Sequence, residues 1–165
     1  MKRIFSLLLF LPFCAHAELL QNALGCADSR AAATALGVPV YLYPCHALVR
    51  QQFFVHPVNE HYFYLTMPNQ ACLASDSNKI VLRTCRLNEQ ELWTYDNGFL
   101  RQGTHCLTGD SLKKPLTLTP CENKESSRFQ LVPEWYFLQN KRKKQPALKP
   151  GEVRQNFGVF APFPR

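Results

Sequence analysis

The chain lacks compact metal and nucleotide motifs: it has no Cys-x-x-Cys or His-x-x-x-His spacing, no nucleophile elbow and no glycine-rich phosphate loop. Those absences remove the readiest routes to a zinc site, to acyl transfer and to nucleotide binding, so no cofactor or metal is expected and the chain does not read as an enzyme. It also has no Asn-x-Ser/Thr acceptor for N-glycosylation. Its N-terminal apolar run, Ile4 to Phe13, is only ten residues long, about half of what a bilayer crossing needs, so no transmembrane segment is expected.

What that run does resemble is an export signal. Lys2 and Arg3 precede it and Ala15-His16-Ala17 follows with small residues at a cleavage point, which marks residues 1–17 as a secretory signal peptide with the mature chain starting at Glu18. Cys14 offers a rival, a lipoprotein acylated on that cysteine, but the bulky Phe13 stands where such signals carry a small residue. Removing the signal leaves six cysteines in an oxidising compartment, extracellular or periplasmic.

These six fall into three phrases of one form: a cysteine, an apolar run, a second cysteine, then an aromatic a few residues on. The first runs from Cys26-Ala27-Asp28 through Val40-Tyr41-Leu42-Tyr43-Pro44-Cys45 to Gln51-Gln52-Phe53. The second runs from Cys72-Leu73-Ala74 through Ile80-Val81-Leu82-Arg83-Thr84-Cys85 to Glu91-Leu92-Trp93, and the third from Cys106-Leu107-Thr108 through Leu116-Thr117-Leu118-Thr119-Pro120-Cys121 to Ser127-Arg128-Phe129. A unit of about 40 residues written three times implies a threefold-repeated fold. Six cysteines allow 15 connectivities, but each repeat should repeat its own bond, which selects Cys26–Cys45, Cys72–Cys85 and Cys106–Cys121.

The local signals are β throughout. Short runs such as Val38–Tyr43, His61–Thr66, Ile80–Arg83 and Leu116–Thr119 are rich in β-branched and aromatic residues and separated by turn clusters. Asp96-Asn97-Gly98 between Trp93-Thr94-Tyr95 and Phe99-Leu100 is the clearest hairpin. Only Gln21–Leu36 has helix-friendly composition, and Ala31-Ala32-Ala33 within it reads as loop. Many short strands in three copies imply an all-β barrel with pseudo-threefold symmetry, residues 18–133, followed by a tail, residues 134–165.

With these phrases in hand the chain resembles the ricin-type lectin domain, a β-trefoil, over roughly residues 24–133. It is nearest in flavour to the lectin domain of polypeptide N-acetylgalactosaminyltransferases, whose first repeat Leu42-Tyr43-Pro44-Cys45-His46 and Gln51 is similar to. The family's Gln-x-Trp triplet is whole in none of the repeats, standing as Gln51-Gln52-Phe53, Glu91-Leu92-Trp93 and Ser127-Arg128-Phe129. The aromatic persists in all three, as core filling demands.

The resemblance implies a sugar pocket built from an Asp two residues past the first cysteine, an aromatic two before the second, and an Asn/Gln pair before the core aromatic. A carboxylate grips paired hydroxyls and a ring supports the sugar's apolar face. The first repeat supplies Asp28, Tyr43 and Gln51, with Arg50 where Asn is usual and His46 at the edge; the second offers Ala74, Arg83 and Glu91, the third Thr108, Thr119 and Ser127. One site is therefore expected, for glycans of galactose or N-acetylgalactosamine type. The competing reading has Asp28 capping a turn at Ser29 and Tyr43 packing beneath a loop. Asp76 and Asp110 lie in turn chemistry, and His56 and His61, flanking Pro57–Glu60, read as solvated.

Charge divides the chain. Residues 18–133 hold ten Lys/Arg against ten Asp/Glu, whereas residues 134–165 hold seven against two. The aromatic start of the tail, Glu134-Trp135-Tyr136-Phe137-Leu138, is expected to dock on the barrel as an extra strand. Beyond it, Lys141-Arg142-Lys143-Lys144 and the segment bearing Phe157, Phe160 and Phe163 should be extended. The basic run is either a solvated linker, a processing point, or an attraction to anionic surfaces; a secreted chain disfavours nucleic acid. The tail also resembles the extended segments of cytolethal distending toxin binding subunits, which makes a non-catalytic cell-binding toxin subunit the alternative function, with the tail contacting a partner. A trefoil that inhibits a protease is a third reading. A single monosaccharide site gives about −4 kcal/mol, so either main reading calls for a second binding element.

Overall fold

A computed structural model describes residues 16–30 and 36–143, the side chains of 142 and 143 excepted. Residues 1–15 of the expected signal peptide, Ala31-Ala32-Ala33 and the tail from 144 onward, with its three spaced phenylalanines, lie outside the described residues. Within them are twelve strands, four to a repeat. The first repeat holds β1 (Glu18–Gln21), β2 (Cys26–Asp28), β3 (Tyr41–Tyr43) and β4 (Phe54–Pro57), and the second holds β5 (Phe63–Thr66), β6 (Cys72–Asp76), β7 (Lys79–Arg83) and β8 (Thr94–Asp96). The third repeat holds β9 (Phe99–Gln102), β10 (His105–Thr108), β11 (Thr117–Pro120) and β12 (Gln130–Pro133).

Six of these strands close a barrel. β4 pairs antiparallel with β5, β8 with β9, and β12 with β1 from Glu18↔Pro133 to Gln21↔Gln130. Bridges Glu18↔Phe53, Phe63↔Trp93 and Phe99↔Arg128 join the first strand of each repeat to the residues that lead into its last. The remaining six form three hairpins in one register, Cys26↔Tyr43, Cys72↔Arg83 and Cys106↔Thr119. At the pseudo-threefold axis the hairpins close a ring of backbone hydrogen bonds: Val40 donates to Ile80 (2.9 Å), Ile80 to Leu116 (3.2 Å) and Leu116 to Val40 (2.7 Å). Each of the three stands five residues before its repeat's second cysteine, and each is fully buried. This is a β-trefoil.

Repetition also fixes the core and the cross-links. Phe53, Trp93 and Phe129 all sit inside the main hydrophobic cluster, which explains why the aromatic survives where its polar partner does not. The disulfides Cys26–Cys45, Cys72–Cys85 and Cys106–Cys121 are all formed, with Cα separations of 5.1, 5.1 and 4.9 Å. They close loops of similar size, for which loop entropy suggests about 3 kcal/mol apiece. The Asp96-Asn97-Gly98 hairpin is present too: Asp96 pairs with Phe99, and Asn97 and Gly98 both take positive φ (51° and 86°), the requirement of a type I′ turn.

Gln21–Leu36, despite its helix-friendly composition, forms strand in its described part, where Gln21 ends β1 and Cys26–Asp28 is β2, as the β reading of the chain has it; strand pairing at the barrel overrides local propensity. One expectation needs correction. The aromatic start of the tail does dock on the barrel, but as α1 (Glu134–Lys143) and not as an extended strand. Pro133 ends β12, Glu134 lies at the positive end of the helix and Lys141 in its last turn, where each favours the helix dipole. The Glu134 amide donates to the Ala17 carbonyl (3.0 Å), and Phe137 packs on a second apolar cluster with Leu19, Cys26 and Ala47.

Candidate functional site

The first repeat gathers its polar residues around one buried carboxylate. Asp28 ends β2, and register places it opposite Tyr41, with Tyr43 on the same face of β3. A 3-10 turn, Val49–Gln51, brings Gln51 beneath it. Gln51 Nε2 donates to Asp28 Oδ2 (2.9 Å) and to the Pro44 carbonyl (3.0 Å), while its Oε1 accepts from the amides of His46 (2.8 Å) and Ala47 (3.2 Å). Every hydrogen-bonding position of the Gln51 amide is thus filled, which a buried amide demands.

Three further groups converge on Asp28. The Leu48 amide donates to His46 Nδ1 (3.1 Å), and His46 Nε2 lies 3.0 Å from Asp28 Oδ2 and 3.3 Å from Arg50 Nε. Arg50 Nε approaches the same oxygen at 3.3 Å, and the Arg30 amide donates to Oδ1 at 2.7 Å. Oδ2 thus faces Gln51, His46 and Arg50 while Oδ1 accepts from the Arg30 amide, and the Asp28 side chain is only 1% exposed, against 23% for His46 and 41% for Arg50. Arg30, held in the left-handed region at φ 53°, lays its guanidinium over both rings, 4.9 Å from the centroid of Tyr41 and 5.4 Å from that of Tyr43.

All five residues singled out from the sequence, Asp28, Tyr43, His46, Arg50 and Gln51, therefore belong to one neighbourhood. Asp28 also caps the local turn through Ser29 by accepting from the Arg30 amide, so its turn role and its pocket role coexist. Tyr41 and Arg30 were not anticipated. The i, i+2 spacing of Tyr41 and Tyr43 on a strand was a usable signal for the first; nothing in sequence announces the left-handed backbone that aims the second.

The other repeats fill the same positions with self-contained networks. In the second, Ala74 replaces the acid, and Arg83 Nε donates to the buried Glu91 Oε1 (2.9 Å) while the amides of Arg86 and Leu87 donate to Oε2 (2.7 and 2.5 Å). In the third, Thr108 Oγ1 lies 2.8 Å from Thr119 Oγ1 and 3.0 Å from Ser127 Oγ. Asp76 pairs with Lys79 across a hairpin turn and Asp110 is exposed in the loop after β10. His61 is exposed as expected, but His56 is not simply solvated: it stacks on Tyr64 at 4.6 Å and its Nε2 lies 2.8 Å from Thr66 Oγ1. A separate open cavity of about 610 Å³ lies between β12 and α1, lined in part by Arg128, Tyr136 and Lys141.

Comparison with known proteins decides the family, because the ricin-type β-trefoil lectin domain matches residues 17–129. The chain belongs to the ricin-type β-trefoil lectin family. No characterised protein matches it by whole-sequence comparison. Among solved structures, the Vibrio vulnificus hemolysin/cytolysin β-trefoil lectin with N-acetyl-D-lactosamine bound is 16% identical with a TM-score of 0.60, covering 73% of this chain and 96% of that one. The earthworm R-type lectin C-half in complex with GalNAc is 11% identical with a TM-score of 0.59, covering 72% and 98%. The cytolethal distending toxin from Actinobacillus actinomycetemcomitans is 16% identical with a TM-score of 0.60, covering 72% and 91%. These likenesses establish the fold, and family membership supports carbohydrate binding in general. The ricin-type lectin fold is typically non-catalytic.

Proposed function

We propose that this chain is a secreted carbohydrate-binding protein that takes galactose or N-acetylgalactosamine type glycans at one site in its first repeat. The observation that carries the reading is the contrast among repeats: a buried carboxylate held by Gln51 and flanked by two tyrosines stands in the first, while Ala74 and Thr108 occupy its place in the others. A sugar would lie against the Tyr41 and Tyr43 edge, its hydroxyls exchanging with the part-exposed Arg50 and His46 groups at the rim of Asp28. Secretion fits the three disulfides, which persist in oxidising compartments.

A glycan array of the oxidised protein, run beside Asp28→Asn and Tyr43→Ala variants checked for native fold, tests this. Binding that both variants lose supports it; a folded parent that binds no glycan contradicts it.

A second reading, the cell-binding subunit of a toxin complex, is favoured by one feature of α1. Phe137 turns into the barrel while Trp135, 52% exposed, and Leu138 remain on the surface. A Trp135→Ala variant that no longer associates with proteins encoded and secreted with this one, while glycan binding persists, would support a subunit role; a monomer that associates with none of them contradicts it.

A further inference from the structure

The first-repeat pocket is short of acceptors and rich in donors. Asp28 Oδ2 already faces Gln51 Nε2, His46 Nε2 and Arg50 Nε, and Oδ1 accepts from the Arg30 amide. A neutral sugar, arriving with hydroxyl groups to donate, meets an Oδ2 that Gln51, His46 and Arg50 already surround, and is left only the remaining position of Oδ1. Charge points the same way: the described charged groups at the rim are one carboxylate against the guanidiniums of Arg30 and Arg50. The Arg30 guanidinium stands over the very rings a sugar would use, placed there by a left-handed backbone at φ 53° that its own amide bond to Asp28 holds in position. The Ser29 amide donates to the Arg50 carbonyl (3.0 Å), which ties the two arginine-bearing segments together.

We propose, on the basis of the sugar-site reading above, that this pocket selects acidic glycans: a galactose-type sugar whose carboxylate or sulfate pairs with the guanidiniums of Arg50 and Arg30. A planar guanidinium recognises either anion through parallel N–H donors, so the two share one chemistry. The acid group converts the two side chains that obstruct a neutral sugar into its partners, and the sugar ring takes the tyrosine surface they leave.

The test is titration of the full oxidised protein with three matched soluble probes: N-acetyllactosamine, its sialylated form and its sulfated form. Single-charge probes are used because residues 134–165 carry seven basic residues against two acidic and would attract any polyanion. At least one acidic probe is expected to bind about tenfold or more tighter than the neutral one, and which one does so separates a carboxylate from a sulfate ester. In Arg50→Asn, and separately in Arg30→Gln, each checked for native fold, the ratio of acidic to neutral affinity falls toward one. Equal binding of all three probes by the parent would overturn the proposal and leave the sugar site standing, as would a preference that survives both substitutions. Binding of none by the folded parent would overturn both.

Discussion

Gln51 and Asp28, 23 residues apart in sequence, share a 2.9 Å hydrogen bond in the interior of the first repeat, and both are fully buried. Because Gln51 spends its other positions on Pro44, His46 and Ala47, the bond fixes Asp28 against the turn that follows the disulfide. Asp28→Ala would leave that amide hydrogen and its neighbouring donors without an acceptor. Denaturant unfolding should show a loss of about 2–3 kcal/mol, whereas Asp28→Asn, which keeps an oxygen acceptor, should lose less than half as much.

The second repeat holds a charged version of the same joint, with Glu91 in the place of Gln51 and Arg83 in the place of Tyr43. Arg83→Ala strands a buried carboxylate and should cost about 3 kcal/mol. Adding Glu91→Gln recreates the first repeat's arrangement, an amide oxygen accepting from two turn amides, so Arg83→Ala/Glu91→Gln should recover most of that loss. Thermal or denaturant unfolding of the single and double variants measures it.

Gly25 has no room for a side chain, since a Cβ there would lie 2.4 Å from the Tyr43 carbonyl oxygen and 2.9 Å from Leu112 Cδ2. Backbone cannot yield as a side chain can. Gly25→Ala is expected to cost at least about 2 kcal/mol and, by shifting β3, to weaken glycan binding at the same time. Unfolding and glycan titration on the same sample would show both effects together.

Trp93 differs from Phe53 and Phe129 in having a polar atom, and its Nε1 donates to the buried Leu73 carbonyl at 3.1 Å. Trp93→Phe matches the other repeats but loses that bond and some volume. A loss of about 1–2 kcal/mol in unfolding free energy is expected, with no change in glycan binding.

What could be read from sequence was what repetition amplifies. Three cysteine pairs, Phe53, Trp93 and Phe129, and the contrast of Asp28 with Ala74 and Thr108 each gain meaning from comparison with two sister copies. What could not be read depends on geometry without a copy. α1 is ten residues long and anchored through Phe137, too short for a periodic apolar face to declare itself. Tyr41 becomes a site neighbour only through the register that sets it opposite Asp28, and Arg30 only through its positive φ. Arg50 was legible in the sequence, whereas Arg30, which lies over both tyrosine rings, was the least visible part of the pocket.

The most direct test of a single first-repeat sugar site is the binding stoichiometry, measured by calorimetric titration of the oxidised protein with N-acetyllactosamine and its sialylated and sulfated forms, beside Asp28→Asn and Arg83→Ala/Glu91→Gln. The account predicts one molecule bound per chain, no binding to folded Asp28→Asn, and unaltered binding to the second-repeat variant. Two or three molecules per chain, or undiminished binding by folded Asp28→Asn, would contradict it.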